Sequence, residues 1–310
     1  MTVQEDKGVV VASGATVSGG IAILIWSSLS LLAVFAGNIP PFQLVAMCFF
    51  VASLVGLAMI FVQGVDPRLR RLNMAALLLG VGGLFGYHFF FFLALRHAPV
   101  LEATLVNYLW PLLIVLFSAL LPAGSRGGVG LRWWHLTGAL FGFFGAVLIF
   151  FADGGEGTTA GEAASRNWYG YLAALVSALV WAAYSVASRL FANVPTQAVT
   201  IYCFLTMIAA TIVHVLVEPT QWPATTSAWV AVLLLGLGPV GGAFFFWDRG
   251  MKRGDVRLLG VLSYFVPLLS MLLLILAGIS SLGPLIWGAA VLIILGALLA
   301  ARDKILNSRV

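Results

Sequence analysis

Leu79 to Leu113 reads LGVGGLFGYHFFFFLALRHAPVLEATLVNYLWPLL, and Leu235 to Leu269 reads LGLGPVGGAFFFWDRGMKRGDVRLLGVLSYFVPLL. A shift of 156 positions lays the first on the second without a gap. Gly80, Gly82 and Gly86 then fall on Gly236, Gly238 and Gly242, and Phe89 and Phe90 on Phe245 and Phe246. Tyr108 meets Tyr264, Pro111-Leu112-Leu113 meets Pro267-Leu268-Leu269, and Asn107 faces Ser263. An earlier pair of segments repeats at a shift of 155, matching Trp26 with Trp181, Ser30 with Ser185, Asn38 with Asn193, Pro40 with Pro195 and Cys48 with Cys203. Self-similarity at a fixed spacing is the mark of an internal repeat. The chain is therefore a doubled half, with residues 1–152 as the first copy, 168–310 as the second and 153–167 as an external linker.

Hydrophobic residues make up 62% of the chain and charged residues 9%, against about a quarter charged in a soluble domain. That balance predicts a polytopic membrane protein. A spanning helix needs about 20 mostly apolar residues. Ten segments meet this requirement: 17–36, 42–62, 74–95, 100–121 and 133–152, then 168–191, 196–217, 229–247, 258–277 and 282–301. They lack the alternation of barrel strands and are twice as long. The expected fold is all-α, ten transmembrane helices in two five-helix repeats. Five is odd, so the second copy enters the bilayer from the opposite side and the repeat is inverted.

Orientation follows from the basic residues, which concentrate in cytoplasmic loops. With the N-terminus in the cytoplasm, fourteen Lys and Arg fall inside and only Arg96 and Arg166 outside, so both termini are expected to be cytoplasmic. Met1 to Gly14 lacks a cleavage pattern, which predicts that the first helix is retained. The net charge of +5 does not point to nucleic acid, because basic and aromatic residues never interleave into a patch. Cys48 and Cys203 read as small buried hydrophobes, and no metal-ligand spacing or cofactor motif emerges. Gly236 to Gly241 matches a dinucleotide fingerprint by letters alone, inside an apolar span with no strand before it. No Walker motif is present, and neither a cofactor nor an ATPase subunit is implied.

Ten helices in two inverted halves, with aromatic and proline residues at the centres of the fourth and ninth, resemble the drug/metabolite transporter superfamily and its EamA-type branch. Tyr87-His88 followed by Tyr108-Leu109-Trp110-Pro111 resembles the branch's bacterial exporters of amino acids, aromatic ones included. The resemblance covers nearly the whole chain. It implies a bacterial inner-membrane secondary transporter working by alternating access on small-molecule cargo. It also implies a central cavity lined by Tyr87, His88, Tyr108, Trp110, Trp181 and Ser263.

The residues themselves place Trp26, His88, Trp110, Trp181 and Ser263 near mid-membrane, away from the interfaces where Trp and Tyr normally gather. Tyr108 and Trp110 are two apart and point roughly 200° apart on a regular helix. Pro111 removes a donor and crowds the Asn107 carbonyl, predicting a kink that re-aims both, and Pro267 is expected to act alike at Ser263. His88 is the one mid-membrane group that titrates near neutrality, so any proton dependence is expected to run through it. A single helix-to-helix hydrogen bond is the plainer reading of the same histidine.

Gly82-x-x-x-Gly86, Gly138-x-x-x-Gly142 and Gly238-x-x-x-Gly242 have the spacing that lets helices approach closely. All eleven carboxylates read as lying in loops, termini or helix ends, and helix centres carry no Lys or Arg. A cation antiporter needs an intramembrane counter-ion, so a zwitterion or neutral amphipathic solute suits the chain better. Drugs, purines or other metabolites stay open as cargo. A polytopic membrane enzyme is a remote alternative, since His88 has no orienting carboxylate or metal partner and no catalytic group is assigned.

Overall fold

A computed structural model describes residues 2–121, 132–152, 168–280 and 283–302; the linker expected at 153–167 lies outside the described residues. Helices account for nearly everything described. They are α1 (Thr2–Trp26), α2 (Leu29–Ala36), α3 (Pro41–Gln63), α4 (Met74–His97), α5 (Val100–Asn107), α6 (Trp110–Phe117) and α7 (Trp133–Ala152). The second half holds α8 (Trp168–Ala187), α9 (Ala198–Val217), α10 (Thr226–Leu237), α11 (Gly242–Arg253), α12 (Val256–Leu262), α13 (Phe265–Leu276) and α14 (Pro284–Ala300). Eight spans are long and apolar enough to cross a bilayer, and two shorter apolar helices, 133–149 and 284–300, complete ten.

Four of the ten spans are broken in two, each for a local reason. In the first, Ser27 and Ser28 turn their hydroxyls back onto Ile23 O (3.0 Å) and Ile25 O (2.7 Å), competing with the helix ladder between α1 and α2. In the fourth and ninth, α5 ends at Asn107 and α12 at Leu262; the next helices carry Pro111 and Pro267 in their first turn, where a missing N–H costs least. The eighth breaks at Gly238-Pro239-Val240-Gly241, where the sequence reading had one continuous helix. Pro239 has no counterpart in the first copy, where Gly83 stands, and α4 accordingly runs unbroken.

Helices pair across the halves. α4 lies along α8, α1 along α11, α3 along α9, α7 along α14, and α6 against α12. Exchanging the two halves maps the second-with-seventh, fourth-with-ninth and fifth-with-tenth pairings onto themselves. It turns third-with-sixth into eighth-with-first. The packing is thus two-fold, as an inverted repeat requires.

Close approach uses different glycines from those the spacing suggested. A Cβ at Gly138 would lie 2.6 Å from Gly296 O, and one at Gly142 would collide with the Tyr264 ring, so this pair does bring α7 onto its partners. Gly82 faces open space, whereas Gly80 and Gly83 sit against Tyr202 and Tyr184. Gly238 and Gly242 flank the break and share no helix, so their spacing is not a packing motif. Between α3 and α4, side-chain hydrogen bonds from Arg68 hold the Asp66 carboxyl down at about 2 on the connecting turn.

Candidate functional site

At the centre of the molecule, where both halves meet, four tryptophans pack on one another. Trp26 closes α1, Trp110 opens α6, Trp181 is in α8 and Trp247 in α11. Their ring centroids are 4.9 Å apart for Trp26–Trp247, 5.7 Å for Trp26–Trp181 and 6.2–6.4 Å for the other four pairs, with Trp181 and Trp247 near parallel at 17°. Edge-to-face and offset contacts at such distances contribute about 0.5–1.5 kcal/mol each beyond burial. Phe244 joins the group 5.7 Å from Trp181 and stacks on Phe49 at 5.6 Å and 8°.

Indole N–H groups inside a membrane protein need acceptors. Trp26 Nε1 donates to Pro239 O at 3.0 Å, a carbonyl at the break between α10 and α11. Trp247 Nε1 donates to Ser185 Oγ at 3.0 Å. The helix break thus supplies the polar partner that fixes one wall of the aromatic cluster.

Tyr87 and His88 border the same cluster. The Tyr87 ring is 5.3 Å from Trp181, and that of His88 lies among Phe49 (5.4 Å), Tyr87 (5.2 Å) and Phe244 (6.3 Å). His88 Nδ1 is 2.7 Å from Leu84 O. A carbonyl only accepts, so Nδ1 carries the hydrogen in this arrangement. The neighbouring-helix bond weighed from sequence is therefore replaced by one within α4. Asn107, the last residue of α5, donates from Nδ2 to Tyr87 OH (3.3 Å) and accepts from Ser177 Oγ (2.7 Å), linking α4, α5 and α8 through one amide.

Two expected residues are held differently. Ser263 is fully buried at the end of α12, and its hydroxyl donates one turn back to Leu259 O at 2.8 Å. Tyr108 packs against a second cluster that includes Tyr264 and Leu268, while its phenol interacts electrostatically with that of Tyr87. The structure therefore brings Tyr87, His88, Trp110 and Trp181 into one aromatic group, with Tyr108 interacting with it electrostatically at Tyr87 and the Ser263 hydroxyl turned onto Leu259. It adds Trp26, Trp247, Phe244, Phe49, Asn107 and Ser177. Trp26 was signalled by its match to Trp181 in the repeat, and Asn107 by being an amide in an apolar span. Trp247 carried no such signal, because it adjoins the charged run Asp248 to Arg253 and reads as interfacial.

The carboxylate reading needs correction. Asp248 is not at a helix end but within α11, its side chain only 1% exposed and 2.8 Å from Lys252 Nζ. Glu218 does cap α9, yet its side chain is 2% exposed and is held by Arg96 (2.8 Å) and His214 (3.1 Å). Asp248 follows Trp247 directly on α11 but is held by Lys252 and Thr196, and the cluster itself offers aromatic faces, an amide, a phenol and an imidazole. A groove of about 780 Å³ opens between α3, α9 and α10, lined by Met47, Phe50, Met207 and Trp229 among others; none of the residues expected from sequence lines it.

The model of the EamA-like transporter family matches this chain twice, at residues 16–151 and 168–302. The chain is 49% identical to the aromatic amino acid exporter YddG of Ancylobacter novellus, over 93% of this chain and 97% of that protein. It is 30% identical to the aromatic amino acid exporter YddG of Salmonella typhimurium strain 14028s, over 92% and 96% of the two chains. A solved crystal structure superposes with a TM-score of 0.85 at 48% identity, covering 93% of this chain and 97% of the other. Two tandem matches across a ten-span bundle, with relatives matched almost end to end, place the chain in the EamA-like transporter family as a multi-pass membrane transporter.

Proposed function

We propose that the chain exports small metabolites, amino acids including aromatic ones first among them, by alternating access across a bacterial inner membrane. The two halves, 1–152 and 168–310, form the two repeats, and the aromatic cluster between them is the cargo site. The observation that carries this reading is that cluster: aromatic surface beside Asn107, Tyr87 and His88, on the axis where helices of both repeats pair. Sites at the midplane between inverted repeats are the common plan of secondary transporters. A zwitterion or neutral amphipath needs no fixed counter-charge there, and the names of the relatives fit such a cargo. Basic residues set the orientation, with both termini cytoplasmic, the α4–α5 turn outside and the α11–α12 turn inside.

Counterflow in proteoliposomes with the twenty amino acids tests the cargo. Phenylalanine or tryptophan should exchange, and exchange of purines or drugs but no amino acid would overturn the assignment. Within that assay, Trp110→Ala and Trp181→Ala should weaken aromatic cargo by roughly threefold to fifteenfold, the equivalent of one aromatic contact. The Phe variants should retain most of the activity. Unchanged affinity in well-folded Ala variants would remove the cluster as the site.

A further inference from the structure

Arg96 and Lys252 hold the same place in the two copies, since the 156-residue shift that aligns the third and eighth spans carries one onto the other. Arg96 is the penultimate residue of α4 and Lys252 the penultimate residue of α11. Arg96 reaches from its helix end to the second half, and Lys252 to the segment ahead of α9 in its own half. Arg96 Nη2 donates to Glu218 Oε1 at 2.8 Å, and its guanidinium lies over the Phe42 ring at 5.8 Å. The same carboxylate accepts from Phe42 N (3.1 Å) and Gln43 N (3.2 Å) at the start of α3 and contacts His214 Nδ1 (3.1 Å).

At the other end Lys252 Nζ donates to Val194 O at 3.1 Å and pairs with Asp248 Oδ1 at 2.8 Å. Asp248 Oδ2 accepts from Thr196 Oγ1 at 2.8 Å. Val194 and Thr196 lie just ahead of α9, and the 155-residue shift takes Ile39 and Pro41, at and just before the start of α3, onto them. The cations thus occupy matching positions, and the anchors of both lie around the start of the second helix of a copy. One sits at each end of the molecule.

We propose that these two clusters are the outer and inner latches of the transport cycle: Arg96 on Glu218 closes the outer end, and the Asp248–Lys252 pair on Thr196 and Val194 closes the inner end. The proposal rests on the alternating-access reading above. Its physical basis is that each latch can open without stranding a buried charge, which would otherwise cost several kcal/mol. When Arg96 leaves, Glu218 keeps His214 and the two backbone N–H groups of α3. When α11 leaves the segment before α9, Asp248 keeps Lys252, four residues along its own helix. A latch of this design holds by a few charge-assisted bonds at flexible side-chain tips and releases while the helices stay intact.

The test is a pair of distances in the protein reconstituted in lipid nanodiscs without added solute, with Cys48 and Cys203 replaced. Spin labels at His97 and Val217 report the outer end, and labels at Asn193 and Arg253 the inner end. R96Q and E218Q should each move the outer population to longer distance by roughly 5 Å or more, about one helical turn, leaving the inner distance short; R96K should stay as wild type. K252Q should lengthen the inner distance instead. Unchanged outer distances in both folded R96Q and E218Q, or lengthening at the end opposite the substitution, would overturn the latches. Because no cargo is present, a wrong cargo assignment leaves these distances untouched and fails only in the flux assay.

Discussion

In the Arg96–Glu218 pair the cation is 41% exposed over a carboxylate that is 2% exposed; in the Lys252–Asp248 pair both partners are buried, at 4% and 1%. The carboxylates also come from different places. Glu218 follows α9, apart from Arg96 on α4, whereas Asp248 shares α11 with Lys252, so the first ion pair crosses between elements and the second does not. Around Lys252 the crossing is done by hydrogen bonds, and Arg189 adds to them by donating to Met251 O (3.2 Å) and Gly254 O (2.8 Å). Arg257 Nε is also 3.3 Å from Ser118 Oγ, tying the ninth span to the fourth. The two copies of the repeat thus carry their matching cations at different depth. An exposed cation is screened and easily rehydrated, while a buried one must keep a partner. The difference teaches that symmetry of the backbone does not impose equal strength on the two pairs.

The sharpest way to break this comparison is to remove each cation. Lys252→Ala leaves Asp248 buried with Thr196 alone, and should cost about 3–5 kcal/mol in unfolding followed in detergent. Arg96→Ala removes a solvent-screened partner and should cost at most about 1 kcal/mol. Equal losses would show that the two ends are held alike.

The glutamines at the helix starts give a finer contrast. Gln43 exchanges two bonds with Gln221 at the Arg96 end, Nε2 to Gln221 O (3.0 Å) and Oε1 from Gln221 N (2.9 Å). Gln197 does the same at the Lys252 end with Gly64 O (2.9 Å) and Asp66 N (2.8 Å). Gln43 is 4% exposed and Gln197 more open, so Gln43→Ala should cost about 1–3 kcal/mol and Gln197→Ala about 1 kcal/mol or less. The reverse order, read by the same unfolding measurement, would place the tighter contact at the Gln197 end. The smallest effect belongs to Arg68→Ala. Its ion pair with Asp66 lies on the surface, and the unfolding midpoint should not move measurably, although the Asp66 carboxyl should titrate nearer its ordinary range.

The chain's periodicities were enough for the ten spans, their doubling and their inversion, because hydrocarbon thickness and a gapless 156-residue match are properties of the linear sequence. The polar and aromatic exceptions at mid-span, Tyr87, His88, Trp110 and Trp181, were legible for the same reason: hydrocarbon tolerates few of them. What those side chains face was not legible. Ser263 and Tyr108 stand at repeat positions as suggestive as the rest, yet the direction of a side chain beside a break depends on how the two half-helices are packed. Trp247 and Asp248 read as the edge of the membrane, and only the break at Pro239 together with the run of α11 along α1 carries them inside. The pairing of Arg96 with Glu218 joins residues 122 positions apart. The sequence determined which groups hydrocarbon would not tolerate alone; the tertiary structure decided which partners satisfy them, because hydrogen bonds and ion pairs depend on contact in space rather than on order along the chain.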